Sequence, residues 1–295
     1  MRPSSIASWR APASSDVLFA IGVPNVREYA DPSLLVSLAG EAEQSGWDGF
    51  FVWDHLVYHE GGDPVADPWI VMAAIAQATE RMRLGVLVAA LARRRPWKVA
   101  RETATLDLLS RGRLIVGAGL GSLAQEEFAA FAEDADARVR ADKLDEALEI
   151  ISGLWGGEAF SFRGRYFDVT PVVFRPRPVQ RPRPPVWVGG RWPARRPFRR
   201  AARWDGVFAT HSEVGHNQTM SAAQLGGIVR YTLSHRATSA PFDVVIEGQT
   251  ADAADACRLD RYAEAGLTWW IEKLGWFRGP LEQMRARIRV GPPSL

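Results

Sequence analysis

The chain has 295 residues, 47% of them hydrophobic, enough for one large α/β core or two smaller ones. Lysine and arginine total 36 against 34 aspartate and glutamate, so the net charge of +2 gives no electrostatic case for nucleic acid or an acidic membrane as partner. The single cysteine, Cys257, cannot form an internal disulfide; the opening MRPSSIASWRAPASS lacks a signal peptide's apolar run, and no stretch reaches the ~18 apolar residues of a membrane helix, so a cytoplasmic protein is expected.

After a loose segment over 1–16, VLFAIGV (17–23) reads as a buried strand. Asp31-Pro32 places an N-cap residue before a proline at the first helical position, and the helix runs to Gly46. GFFVW (49–53) is a second strand, and Asp67-Pro68 repeats the helix start, with an end near Arg81. RLGVLV (83–88) is a third strand, Pro96 opens a helix to Ser110, and RLIVGAG (113–119) is a fourth strand. Over 137–155, Leu144, Leu148, Ile151 and Trp155 share one helical face. AFSFRGRYFDV (159–169) reads as a hairpin turning near Arg163-Gly164. Prolines bar FRPRPVQRPRPP (174–185) from regular helix and central strand; it is an ordered surface excursion or a linker between two domains. PVWVGG (185–190), GVFAT (206–210), FDVVIEG (242–248) and TWWIEKL (268–274) complete eight strands, and a last helix covers 280–289. Strand–helix alternation repeated eight times predicts an α/β fold, a single (β/α)8 TIM barrel over 17–293. The hairpin and the Pro/Arg-rich excursion are inserted between its fourth and fifth units, and a doubly wound open sheet is the alternative.

A barrel of this kind carries its chemistry at the C-terminal ends of its strands. His55, after the second strand, is the sharpest candidate for moving a proton near neutral pH, against the alternative of a loop histidine bonded to backbone. A direct dyad with Asp54 is disfavoured, because successive strand residues point to opposite faces; His59 joins the site if the loop turns back. Gly119-Leu120-Gly121 and Gly189-Gly190-Arg191 let backbone approach a ligand, and Arg191 adds a cation for a phosphate; tight turns are the alternative for each. GAGLGS lacks the third glycine of a dinucleotide fingerprint. Trp53, Trp69, Trp270 and Trp276 lie near strand ends and are candidates for an apolar pocket, whereas Trp47, Trp97 and Trp155 read as core. RWPARRPFRR (191–200) reads as a solvated helix face, and no histidine or cysteine spacing suits a metal.

RRRPWKVARETATLDLLSRGRLIVGAGLG (93–121) resembles the signature region of the bacterial luciferase-like monooxygenases, flavin- or deazaflavin-dependent oxidoreductases. GEAEQSGWDGFFVWDH (40–55), RADKLDEALEIISGLW (140–155), FSFRGRYFDV (160–169) and RPRPVQRPRPPVWVGG (175–190) resemble further parts of that family, so the likeness spans roughly 17–293. It implies a (β/α)8 barrel and an oxidoreductase that takes reduced FMN or the deazaflavin coenzyme F-420 and acts on a small organic substrate.

By the same resemblance His55 is catalytic, beside the redox ring, and Asp54 is its strand-end neighbour at the cofactor. A non-proline cis peptide that supports the ring's face falls at Val88-Ala89, although many relatives have threonine and proline where this chain has Ala89 and Ala90. Gly119 lies where the fourth strand passes the cofactor, and Gly189, Gly190 and Arg191 lie near its ribityl and phosphate part. Trp53, Trp270 and Glu272 are expected at the substrate pocket, with Glu272 alternatively a structural partner of a barrel arginine. Dehydrogenases of the deazaflavin branch place a glutamate soon after the fourth strand; here no acid follows that strand until Glu126 and Glu127, which argues against a sugar-phosphate dehydrogenase of that type, and the monooxygenase class is expected over the dehydrogenase class. A homodimer and a flavin reductase supplying reduced cofactor are the implied protein partners. A catalytically inactive flavin- or ligand-binding barrel is the alternative.

Overall fold

Eight parallel strands close on themselves in the computed structural model, which describes residues 17–59, 62–250 and 256–293. The first half contains β1 (Leu18–Val23), α1 (Pro32–Gln44), β2 (Gly49–Val52), α2 (Pro68–Ala78), β3 (Arg83–Ala90), α3 (Pro96–Leu109) and β4 (Leu114–Gly119). Next come the one-turn helix α4 (Ala124–Glu127), α5 (Ala137–Trp155), and the strands β5 (Ala159–Arg163) and β6 (Asp168–Val173). The second half contains β7 (Val186–Trp192), α6 (Arg195–Ala201), β8 (Gly206–His211), α7 (Ala222–Leu233), β9 (Asp243–Gly248), α8 (Ala256–Glu264), β10 (Trp269–Lys273) and α9 (Leu281–Val290). Around the barrel the order is β1-β10-β9-β8-β7-β4-β3-β2, with β1 paired to both β10 and β2. The predicted hairpin is the separate antiparallel pair β5–β6, inserted between the fourth and fifth units as expected. The expected loose segment 1–16 lies outside the described residues.

The helix starts follow the sequence signals. Asp31, Asp67 and Asp136 each accept a backbone N–H of the first turn, at 2.8–3.0 Å, and Pro32, Pro68 and Pro96 occupy first helical positions. One end differs: α2 stops at Ala78, not near Arg81. Arg113 caps this end: its guanidinium takes the carbonyls of Ala76, in the last turn, and of Thr79 and Met82, in the segment that follows, at 2.7–3.0 Å.

Two cores result. One apolar cluster draws on every barrel strand and no helix: Ala20, Phe51, Leu87, Ile115, Trp187, Phe208, Val245, Trp269 and Ile271. This is the barrel interior, where Trp187, Trp269 and Phe51 meet edge-to-face or tilted at 5.3–6.3 Å. A larger cluster fills the layer between strands and helices. The Pro/Arg-rich excursion is fastened to this shell: the Asp107 carboxylate accepts the amides of Val179 and Gln180 at 2.6 and 3.0 Å. Trp47 and Trp155 are buried as expected, but Trp97, in the first turn of α3, is 38% exposed and reaches the core only at its edge, against Phe167.

Candidate active site

Strand parity decides what faces the mouth of the barrel. Continuing each interior row toward the C-terminal ends brings Trp53, Leu87, Gly119, Gly189, Arg191, Phe208, Thr210, Glu247 and Lys273 to the walls of one cavity of about 680 Å³. The β2–α2 loop adds His55, Tyr58 and His59, and Leu120 to Leu123 close another side. Val88 lies on this wall beside Leu87.

His55 is held from behind. Its Nδ1 lies 3.0 Å from Glu127 Oε1, which also accepts the Leu56 amide at 2.7 Å. Glu127 Oε2 accepts from Arg93 Nη1 at 3.0 Å. Every other partner of Glu127 is a donor, so Nδ1 bears the hydrogen of the neutral ring and Nε2 carries the lone pair. Nε2 has no protein partner among the described residues. Glu127 arrives through Leu123, at a left-handed φ of 48°, and the single turn of α4.

Asp54 points the other way, out of the barrel. Arg93 Nη2 and Arg94 Nη2 each lie 2.8 Å from its Oδ1, and the Ala90 amide donates to Oδ2 at 2.9 Å. Burial opposes the Asp54 charge, yet Arg94 and Arg93 outweigh it and hold the carboxyl below the usual carboxylate range. Asp54 and His55 are therefore no dyad, as parity predicted. Arg93 bridges them indirectly, with Glu127 on one fork and Asp54 on the other. Both carboxylates and Arg93 are almost wholly buried.

The third-strand wall is displaced by one residue from its expected place. The non-proline cis peptide is Leu87–Val88, not Val88–Ala89, and the pairing of β3 with β4 shifts between Val86 and Ala89. That bulge turns Ala89 away from the cavity into the strand–helix layer. Val88 instead covers the backbones of β4 and β7. A Cβ on Gly119 would lie 2.3 Å from Val88 Cγ2, and one on Gly189 would lie 3.1 Å from Val88 Cγ1. Gly190 answers a different need, since its missing side chain makes room for Phe198 and Pro197 of α6 at 3.0–3.1 Å.

Two further expectations fail on parity. In β10, Trp269 and Ile271 face inward, so Trp270 and Glu272 face the helices. Trp270 Nε1 donates to Glu272 Oε2 at 3.1 Å, and Glu272 also accepts from Thr250 and Arg278. Glu272 is thus the structural partner of an arginine, the alternative raised for it. Lys273 takes the pocket position instead, ion-paired with Glu247 at 3.1 Å and donating to the His216 carbonyl at 3.1 Å. Burial and then the Lys273 charge lower the His216 imidazole below its ordinary value.

Aromatic rings border the mouth. Trp53 stacks on Phe277, with centroids 6.0 Å apart and planes 2° from parallel, and meets His55, His216 and Trp276 edge-on. Trp69, the second residue of α2, is buried in the strand–helix layer and not in the cavity lining. Arg27 lies over the Trp276 ring at 4.6 Å and pairs with Asp63 at 2.8 Å, tying three loops together. The run 191–200 is not a uniform solvated face: Arg200 is buried against Asp145. Among the described residues, no group of three histidine, cysteine, aspartate or glutamate side chains forms a metal set, and no helix is long and apolar enough to cross a membrane.

Comparison with known proteins adds the family. The F420-dependent glucose-6-phosphate dehydrogenase of Microbacterium testaceum is 34% identical over 171 residues, 57% of this chain and 49% of that protein. The F420-dependent hydroxymycolic acid dehydrogenase of Mycobacterium tuberculosis is 30% identical over 270 residues, 89% of this chain and 72% of that one. The chain thus spans about half the length of several curated relatives it matches. An F420-dependent secondary alcohol dehydrogenase, solved with an F420-acetone adduct, superposes with a TM-score of 0.77 over 93% of this chain and 97% of its own, at 16% identity. A family model described as luciferase-like monooxygenase matches residues 16–285. On the extent of that match, over a closed parallel barrel with its cavity at the strand ends, the chain belongs to the luciferase-like monooxygenase family.

Proposed function

We propose that the chain is an oxidoreductase that takes coenzyme F-420 in this cavity and oxidises or reduces a small, largely apolar alcohol or carbonyl compound. The observation that carries this reading is His55 Nε2, left as a lone-pair acceptor by the Nδ1–Glu127 contact at 3.0 Å. A group of that kind suits removal of a hydroxyl proton, or its return to a carbonyl oxygen.

The residues fit the coenzyme. A cavity of about 680 Å³ falls within the range of ligand sites, roughly 300–1,000 Å³. Leu87, Val88 and Phe208 offer a flat ring an apolar surface. Arg191 is exposed, lines the cavity and has no acceptor among the described residues; with the Gly189 and Gly190 backbone it is placed to hold a phosphate. Asp54 serves the coenzyme indirectly, by fixing the Ala90 amide behind the Val88 wall. When bound, the deazaflavin ring supplies the redox step. Trp53 bounds the substrate side and excludes water, and His55 handles the proton.

A monooxygenase using reduced FMN, supplied by a flavin reductase, is the second reading, favoured by the family's description and by the same apolar wall. Fluorescence titration with F-420 and with FMN, each oxidised and reduced, separates the two. So does a test of anaerobic F-420 reduction by a panel of secondary alcohols against oxygen uptake with reduced FMN. Alcohol-dependent F-420 reduction that collapses in His55→Ala is the expected result. Oxygen uptake with reduced FMN and no F-420 binding would overturn it in favour of the monooxygenase, and binding of neither would leave an inactive barrel.

A further inference from the structure

The arginine run that follows β7 has a part the site does not use. Six arginines lie between 191 and 203. Asp142 and Asp145 on α5 pair with Arg196, Arg200 and Arg203. Arg191, Arg195 and Arg199 have no carboxylate partner among the described residues, and all three are exposed. They stand four apart. Arg191 lines the cavity, as do Ala194 and Pro197 at the start of α6. Arg195 and Arg199 are one helical turn apart, so they share a face of α6 and their Cβ atoms lie about 5–6 Å from each other. Arg195 follows the cavity-lining Ala194, and its guanidinium is held 4.0 Å over the Trp192 ring and 4.4 Å from the Tyr231 ring. Those contacts fix the cation without neutralising it.

We propose that Arg195 and Arg199 form a track for the oligoglutamate tail of coenzyme F-420, leading it out of the cavity past Arg191 and along α6. This rests on the coenzyme reading above and deepens it. The tail is a flexible chain of carboxylates that continues beyond the phosphate, whereas FMN ends at its phosphate. A line of unpaired guanidinium groups running outward from the phosphate position is complementary to the first and has nothing to meet in the second. The track gives affinity and retention of the long-tailed coenzyme and has no part in the proton chemistry at His55.

The test is a fluorescence titration of the whole protein with F-420 carrying several glutamates and with F-420 lacking them, at low and at high salt. Tighter binding of the tailed form at low salt is expected, with the advantage lost as salt screens it. In Arg195→Ser/Arg199→Ser the tailed form should bind about three- to tenfold more weakly and the tailless form unchanged. Because Arg195 also packs on two rings, Arg199→Ser is measured alone and should show part of the same loss. Equal affinity for both forms in the parent chain, or a tail advantage that survives in the double variant, overturns the track and leaves the coenzyme assignment standing. Failure of either F-420 form to bind overturns both.

Discussion

His55 and Glu127 are 72 positions apart in the chain, yet Nδ1 of one lies 3.0 Å from Oε1 of the other, and this contact selects the tautomer that faces the cavity. Glutamine at 127 keeps the shape but can present its amide as donor, which would move the hydrogen of His55 to Nε2. Glu127→Gln should therefore lower kcat about 10–100-fold with little change in coenzyme binding. Steady-state kinetics beside a fluorescence titration of the coenzyme checks this, and an unchanged kcat would falsify the tautomer argument.

Asp54 belongs to the cavity lining, but its side chain is fully buried and its carboxylate is taken up by Arg93, Arg94 and Ala90. Asp54→Asn leaves two largely buried guanidinium groups short of a counter-charge. We expect a loss of about 3–5 kcal/mol of stability, read from urea unfolding. A variant of parental stability that binds coenzyme poorly would return Asp54 to a direct binding role.

Gly119 and Val88 are coupled by space. Alanine at 119 puts a Cβ 2.3 Å from Val88 Cγ2, so the wall must shift. Gly119→Ala should cost about 1–3 kcal/mol and weaken coenzyme binding. Adding Val88→Ala should restore part of the stability, since it removes the atom that is struck. Additive losses in the double variant would mean that the two side chains do not compete for the same space.

Deep in the barrel, Trp187 Nε1 donates to Asp243 Oδ2 at 2.9 Å, and burial raises the Asp243 carboxyl to about 6 from 3.8. The folded chain then holds a proton that the unfolded chain has released between about pH 4 and 6. This contribution to stability is fully present below the unfolded value and is lost as pH rises through the folded one. At pH 7 the ionised group costs up to about 3 kcal/mol. Asp243→Asn should remove that slope and gain about 1–3 kcal/mol near neutrality, while still accepting from Trp187. Urea unfolding of both proteins at pH 5 and 7.5 or so measures the difference, and parallel curves would contradict it.

Much of this was legible in the sequence because it depends on local chemistry. Asp-Pro pairs announced two helix starts, and the alternation of apolar and amphipathic segments gave the barrel. His55 stood out as a titratable side chain at a strand end. The parts that escaped are those that local pattern cannot carry. Glu127 was noticed only as an acid too far from β4, because a left-handed Leu123 and a four-residue helix leave no periodic trace. Ala89 was misplaced because a bulge resets parity without changing composition. Trp270 and Glu272 were misplaced because β10 is buried on both faces, so alternation had no polar side to read. Arg93 and Arg94, the first two of three adjacent arginines after β3, are the cations that Asp54 and Glu127 hold, and nothing in the run itself distinguishes them from Arg95.

The buried ionic chain from Glu127 through Arg93 to Asp54 joins three consecutive βα loops, those after β2, β3 and β4. The charged residues on the cavity's other side, Arg191, Glu247 and Lys273, come from β7, β9 and β10, and among the described residues they share no bond with that chain. The barrel mouth is therefore divided along its circumference. One arc is a locked chassis behind His55, tied by buried ion pairs across three loops. The opposite arc brings its own charges, Arg191 and the Glu247–Lys273 pair, to the same cavity without drawing on that chassis.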